Sequence, residues 1–139
     1  CFVNIVSEME VNLYTYSQRF VLFDLLIYAN KIELNRLVLT THSPYVINYL
    51  TLAAKAFLLT QKVSANETLQ ARVKEVVPAD SAIDPARLRI YELKDGGVFR
   101  LSTYEGLPSD ENFLNIQLGV TNELFDQLLE IEQEFDYKN

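Results

Sequence analysis

The stretch Arg36-Leu37-Val38-Leu39-Thr40-Thr41-His42-Ser43-Pro44-Tyr45 decides the fold. Leu37-Val38-Leu39 is a short apolar run closed by Thr40-Thr41-His42, which reads as a strand ending in polar residues. Ser43 followed by Pro44 supplies an N-cap and a Pro at the first helical position, so a helix is expected from Pro44 to about Gln61. Working outward, Phe2-Val3-Asn4-Ile5-Val6 is aromatic and β-branched around one Asn and is ended by Ser7-Glu8, which predicts a largely buried strand. Between the two, Phe20, Phe23 and Ile27 share a stripe while Val21, Leu22, Leu25 and Leu26 fill the remaining faces. A helix over 16–29, buried on most sides and ended by Asn30-Lys31, follows. Strand, helix, strand, helix is the βαβα unit of a parallel α/β sheet, with its crossover expected to be right-handed. Binding sites in such sheets lie beyond the carboxyl ends of the strands. Those ends are Ser7-Glu8 and Thr41-His42, presented side by side.

Composition narrows what such a sheet can serve. The chain has 139 residues, 49% hydrophobic, with 4 Gly and 4 Pro, which excludes a disordered or collagen-like protein. One Cys makes no internal disulfide and one His no multi-histidine metal cluster. A secreted disulfide scaffold is thereby excluded, and a cytoplasmic location is expected. The longest apolar run, within 20–29, is interrupted by Asp24 and falls short of the ~20 residues that a bilayer requires. No membrane association is expected. A net charge of -7 without a basic cluster is a poor electrostatic match for duplex DNA, so direct nucleic-acid binding by this segment is not expected. Mature bacterial lipoproteins also begin with Cys, but a polar tether follows there. Phe2-Val3-Asn4-Ile5-Val6 after Cys1 reads instead as a strand already inside a structure.

Further along, Glu67–Lys74 reads as a short helix before a loop holding Pro78 and Pro85. Arg89–Leu93, the Asp95-Gly96 turn and Val98–Thr103 give a hairpin signal. Ser109-Asp110-Glu111 after Pro108 predicts a helix start. Thr121 is expected to cap a second helix with an apolar stripe of Leu124, Leu128, Ile131 and Phe135, widened by Phe125 and Leu129. Glu130, Glu132, Glu134 and Asp136 read as a solvated face and a fraying acidic tail, not a metal site. The whole of 1–139 is expected to be a single domain.

Two residues at the strand ends could carry chemistry. Glu8 stands where a parallel sheet offers a carboxylate to a phosphate-bound metal or an attacking water, and His42 could polarise a phosphate oxygen or donate a hydrogen bond from a loop. Each alone reads as an ordinary surface or structural residue. Their equivalent positions on neighbouring strands favour a shared site.

These residues also carry a resemblance. Ile5-Val6-Ser7-Glu8-Met9-Glu10-Val11-Asn12-Leu13-Tyr14, followed by Ser17-Gln18-Arg19, resembles the Walker B strand and following loop of the ABC-type AAA family of ATPases, relatives of SMC and DNA-repair ATPases. Leu37–Tyr45 resembles that family's switch-histidine segment. Tyr91-Glu92-Leu93, the Asp-Gly turn, and Gly106-Leu107-Pro108-Ser109-Asp110-Glu111-Asn112-Phe113-Leu114-Asn115 before a helix resemble its C-terminal part. The resemblance implies a partial P-loop NTPase lobe: a Walker B-like strand over 2–8, the switch segment over 36–45, and a hairpin and helices over 88–136. It implies Glu8 as the water-activating base and His42 as the γ-phosphate contact, with Ser7, Glu10, Thr41 and Ser43 around the nucleotide. ATP and Mg²⁺ would be the ligands of the intact enzyme.

The resemblance covers only the C-terminal portion of that ATPase domain. No Gly-x-x-x-x-Gly-Lys-Ser/Thr occurs, nor a Ser-Gly-Gly-type signature. Ser7 stands where the family has the first Walker B acid, so a cation would be held more weakly. Met9 and Thr15 replace two prolines of the loop. No cofactor is therefore expected for the chain alone, and no hydrolysis. In the resembled fold the Phe2–Val6 strand is paired at both edges, which implies a partner: a P-loop-bearing segment or a second copy of this chain. Two other classes stay open, a non-enzymatic remnant acting as a protein-interaction module and an unrelated acidic α/β module in which Glu8 and His42 are structural.

Overall fold

A computed structural model describes residues 2–138, without the side chains of Glu134, Phe135, Asp136 and Lys138. Cys1 lies outside the described residues, as do the side chains of Glu134, Phe135 and Asp136 from the expected stripe and acidic tail. The architecture is α/β, with small sheets among helices. The chain divides into two compact units, residues 1–109 and 110–139.

In the first unit, β1 (Val3–Ser7), α1 (Thr15–Asn30), β2 (Arg36–Thr40) and α2 (Pro44–Lys62) follow in the expected order. β1 and β2 pair in parallel, with Val3 opposite Arg36, Ile5 opposite Val38 and Ser7 opposite Thr40. Because side chains alternate along a strand, this register fixes what each face carries. Val6, Leu37 and Leu39 fall on the inner face and pack against a core of Met9, Leu22, Phe23, Leu26, Val46 and Leu50. Val3, Ile5 and Val38 fall on the outer face and are exposed. The strand at 2–6 is therefore not the buried strand that its composition predicts: only Val6 is partly covered. A parallel sheet normally has both faces covered; here one face and the outer edge of β1 have no cover among the described residues. The same holds for α1. Leu22, Phe23 and Leu26 are buried, but Tyr16, Phe20 and Tyr28 face solvent, so the helix is buried along one stripe and not on most sides.

α3 (Glu67–Val76) and two short 3-10 turns at Ala79–Ser81 and Pro85–Arg87 occupy the proline-bearing stretch. Asn66 caps α3 by accepting the Leu69 N–H at 3.0 Å. Asn30 at the end of α1 donates to the carbonyls of Asp80 and Ala82, tying the stretch to the core. β3 (Tyr91–Lys94) and β4 (Gly97–Arg100) form the hairpin, in tighter register than the sequence suggests. Asp95 and Gly96 both have positive φ, 51° and 73°, as a two-residue primed turn requires, and this pins Lys94 opposite Gly97. Thr103 belongs to a second small hairpin, β5 (Thr103–Tyr104) with β6 (Leu107–Pro108), turning on Glu105-Gly106.

The second unit is one helix, α4 (Phe113–Lys138), capped by Asn112, whose side chain accepts the Asn115 N–H at 3.0 Å. The start expected at Ser109-Asp110-Glu111 falls a few residues later. Thr121 caps nothing and lies inside α4. The apolar spacing Ile116, Val120, Leu124, Leu128 passes through Gly119 and Thr121 without a break, and no Pro interrupts it. A single internal Gly costs only about 1 kcal/mol.

Candidate functional site

The site lies at the carboxyl ends of β1 and β2, where the backbone leaves the sheet in two loops. The first loop turns twice. The Val11 N–H donates to the Glu8 carbonyl at 3.0 Å and the Leu13 N–H to the Glu10 carbonyl at 2.9 Å. Met9 is buried in the core and anchors the loop from below. Glu8 itself takes a left-handed backbone, φ 49°, and so does Asn12, φ 62°. Asn tolerates this conformation, but Glu adopts it at a cost of roughly 1 kcal/mol. Such strain persists where surrounding bonds impose it. Here the Glu8 N–H donates to the Thr40 carbonyl at 2.9 Å and lies 3.2 Å from the Thr40 hydroxyl.

The Glu8 carboxylate lies on the rim beside His42, whose Nε2 is 3.5 Å from Glu8 Oε1. The two side chains are 50% and 84% exposed. Exposed pairs of this kind contribute little to stability. The same left-handed backbone occurs at Asp95, φ 51°, and Glu105, φ 50°, in the two hairpin turns.

The other expected residues brace this pair. Glu10 Oε1 accepts the His42 N–H at 2.6 Å, clamping the first loop to the second. Burial raises the Glu10 pKa, but the His42 N–H, its own N–H, the nearby Thr41 hydroxyl and the His42 charge together outweigh that, leaving the carboxyl below its ordinary value. Its Oε2 is buried without a hydrogen-bond partner. The Thr41 hydroxyl accepts the Ser43 N–H at 2.9 Å. Ser7 is held by its hydroxyl, 3.1 Å from that of Thr40. Glu8, Glu10, Thr41, His42 and Ser43 thus share one rim with Ser7. Glu10 braces His42 through its backbone, and the Ser43 hydroxyl is turned into the protein.

What the Ser43 hydroxyl meets is a residue that the reading for catalytic groups passes over. Gln18, buried in α1, accepts from Ser43 Oγ at 2.7 Å and donates from Nε2 to the Leu13 carbonyl at 3.2 Å. One side chain thereby links α1 to both loops. The available signal was a polar residue inside an apolar helix, two turns from the candidate base.

Mg²⁺ does not fit the donors of this rim. Ser7 is neutral and already hydrogen-bonded, Glu10 has one oxygen engaged by a backbone N–H and the other buried, and Glu8 is the remaining exposed carboxylate. Among the described residues no three His, Cys, Asp or Glu side chains cluster to hold a metal ion. An open groove of about 540 Å³, lined by Ile27, Lys31, Phe57, Asp80 and Arg87 among others, shares no residue with the rim. No helix among the described residues is long and apolar enough to cross a membrane.

No protein-family model, no curated protein and no solved structure matches this chain.

Proposed function

We propose that this chain is the C-terminal portion of an ABC-type AAA ATPase domain, contributing the hydrolytic rim of an ATP site whose phosphate-binding half comes from a P-loop-bearing segment. The observation that carries this reading is the meeting of Glu8 and His42 at 3.5 Å across parallel strands, with Glu8 in a strained backbone. Glu8 orients and deprotonates the water that attacks the γ-phosphorus in line, and His42 Nε2 contacts a γ-phosphate oxygen. Without a nucleotide the two side chains engage one another. An arriving γ-phosphate competes for His42 and frees the Glu8 carboxylate for water. Glu10 and Gln18 hold the two loops in register, so that neither group swings out of reach.

Glycine-rich phosphate cradles use backbone N–H groups and a Lys, and this sequence contains none. The isolated chain is accordingly expected to bind ATP weakly and not to hydrolyse it. Calorimetry with ATP and Mg²⁺ tests this: micromolar binding by the chain alone would overturn the division of labour. The in-frame DNA upstream of the Cys1 codon is expected to encode a P-loop. A second reading, a protein-interaction module without catalysis, is favoured by the uncovered outer face of β1 and β2, where Val3 is 62% and Ile5 73% exposed. A partner that seats there without restoring ATP binding would favour it.

A further inference from the structure

The turn at Pro85–Arg87 leads through Leu88 and Arg89 into the hairpin, and the Leu101 N–H donates to the Ile90 carbonyl at 2.9 Å, carrying the ladder of β3 and β4 one pair further. Thr103 then pairs with Pro108 in the second hairpin. Residues of the turn and of both ladders line one small pocket, among them Leu88, Arg89, Arg100, Ser102, Thr103 and Pro108. It holds about 10 Å³, room for one water-sized group. The pocket shares no residue with the rim of Glu8 and His42.

The charged groups of this lining have one sign. Arg89 and Arg100 both contribute to it and no acid does; Asp84 and Glu105, next in sequence to lining residues, stay outside it. Arg89 is folded back on the turn, where Nη1 donates to the Ala86 and Leu88 carbonyls, each at 2.7 Å. That spends both N–H groups of Nη1 and leaves the Nε–Nη2 fork, the edge that grips an oxyanion, without a partner among the described residues. The Arg100 guanidinium makes no hydrogen bond or ion pair among the described residues, and neither hydroxyl of Ser102 and Thr103 is bonded there. Two guanidiniums at one small pocket repel one another, and an anion between them relieves this. Residues 1–109 hold eleven acidic and eleven basic side chains, so no net charge on this unit turns an anion away. We propose that the pocket is a binding site for a phosphomonoester. One oxygen enters the pocket, and the others accept from the Arg89 fork, the Arg100 guanidinium and the two hydroxyls. A dianion with three acceptor oxygens uses these donors, whereas a carboxylate, with one charge and two oxygens, leaves some unspent.

The test titrates the isotope-labelled full chain with inorganic phosphate, at constant ionic strength and slightly above neutral pH, followed by two-dimensional NMR. Saturable shifts are expected at the amides of Ser102 and Thr103 and at the side-chain Nε of Arg89 and Arg100. Acetate and dimethyl phosphate, both monoanions, should bind at least about fivefold more weakly. Arg100→Gln should weaken phosphate at least about fivefold with the circular dichroism unchanged. Should Arg100→Gln disturb the hairpin, Arg100→Lys keeps the charge while losing the planar fork and should still weaken phosphate at least about twofold. Glycerol phosphate and a short phosphoserine peptide then distinguish the source of the group: a peptide bound at least about tenfold tighter assigns a phosphorylated protein, and equal binding a free ester. Shifts confined to Thr41, His42 and Ser43 at the rim, acetate bound as tightly as phosphate, or no loss in either Arg100 variant overturns the inference.

Discussion

Replacing Gln18 with Ala removes a side chain that ties α1 to both loops of the rim. Two hydrogen bonds are lost, Ser43 Oγ to Gln18 Oε1 at 2.7 Å and Gln18 Nε2 to the Leu13 carbonyl at 3.2 Å. Gln18 and Ser43 are both 7% exposed, so the orphaned Ser43 hydroxyl gains little access to water. A buried polar group left unsatisfied costs about 1–3 kcal/mol, and a typical bond to a neutral partner contributes about 1 kcal/mol net. The Leu13 carbonyl is nearer the surface and adds less. Gln18→Ala should therefore destabilise the chain by about 2–4 kcal/mol, the larger part through Ser43. The assay is urea unfolding followed by circular dichroism, run as a cycle with Ser43→Ala and the double variant. Removing both partners leaves no orphaned Ser43 hydroxyl, so the double variant should lose at least about 1 kcal/mol less than the sum of the single losses. A loss below about 0.5 kcal/mol for Gln18→Ala, or strict additivity, would refute the bracing role.

Three further outcomes follow from the same geometry. Glu8→Gly relieves a left-handed backbone and should raise stability by about 0.5–1 kcal/mol while removing the proposed base; no gain in the urea midpoint would contradict the strain. The Glu10 carboxyl has a folded pKa below its ordinary value of 4.5, so its contribution is present above that value and is lost as pH falls through the folded pKa. Urea midpoints should fall less steeply with acid in Glu10→Gln than in the parent, and parallel curves would contradict this. The outer edge of β1 has no neighbouring strand among the described residues and lies beside exposed Val3 and Ile5, which favours association. Light scattering at micromolar concentration should show Val3→Lys closer to monomer than the parent, and a monomer in both would remove the edge as an interface.

The first half of the chain was legible because its elements are bounded by strong local chemistry. Ser43-Pro44 marks the start of α2 and Asn30-Lys31 the end of α1, so the βαβα order and the meeting of Glu8 with His42 could be read from spacing. Burial was not legible in the same way. Val3, Ile5 and Phe20 have the composition of a core, yet they are exposed, since composition records what a residue suits and not whether a covering layer is present. Thr121 misled because cap residues also occur inside helices when the apolar period continues. Gln18 escaped notice as part of the site because its role is to bond two loops that are distant in sequence. The left-handed backbone of Glu8 had no signal, since Glu is not a residue that turns favour.

ATP turnover by the reconstituted site tests the central claim most directly. The chain, produced together with the polypeptide encoded in frame upstream of Cys1, is assayed for ATP hydrolysis as parent and as Glu8→Gln. The account predicts turnover in the parent and a loss of at least about a hundredfold in Glu8→Gln with ATP still bound, as expected when a general base is removed. Turnover unchanged by Glu8→Gln, or a reconstituted protein that does not bind ATP, would contradict it.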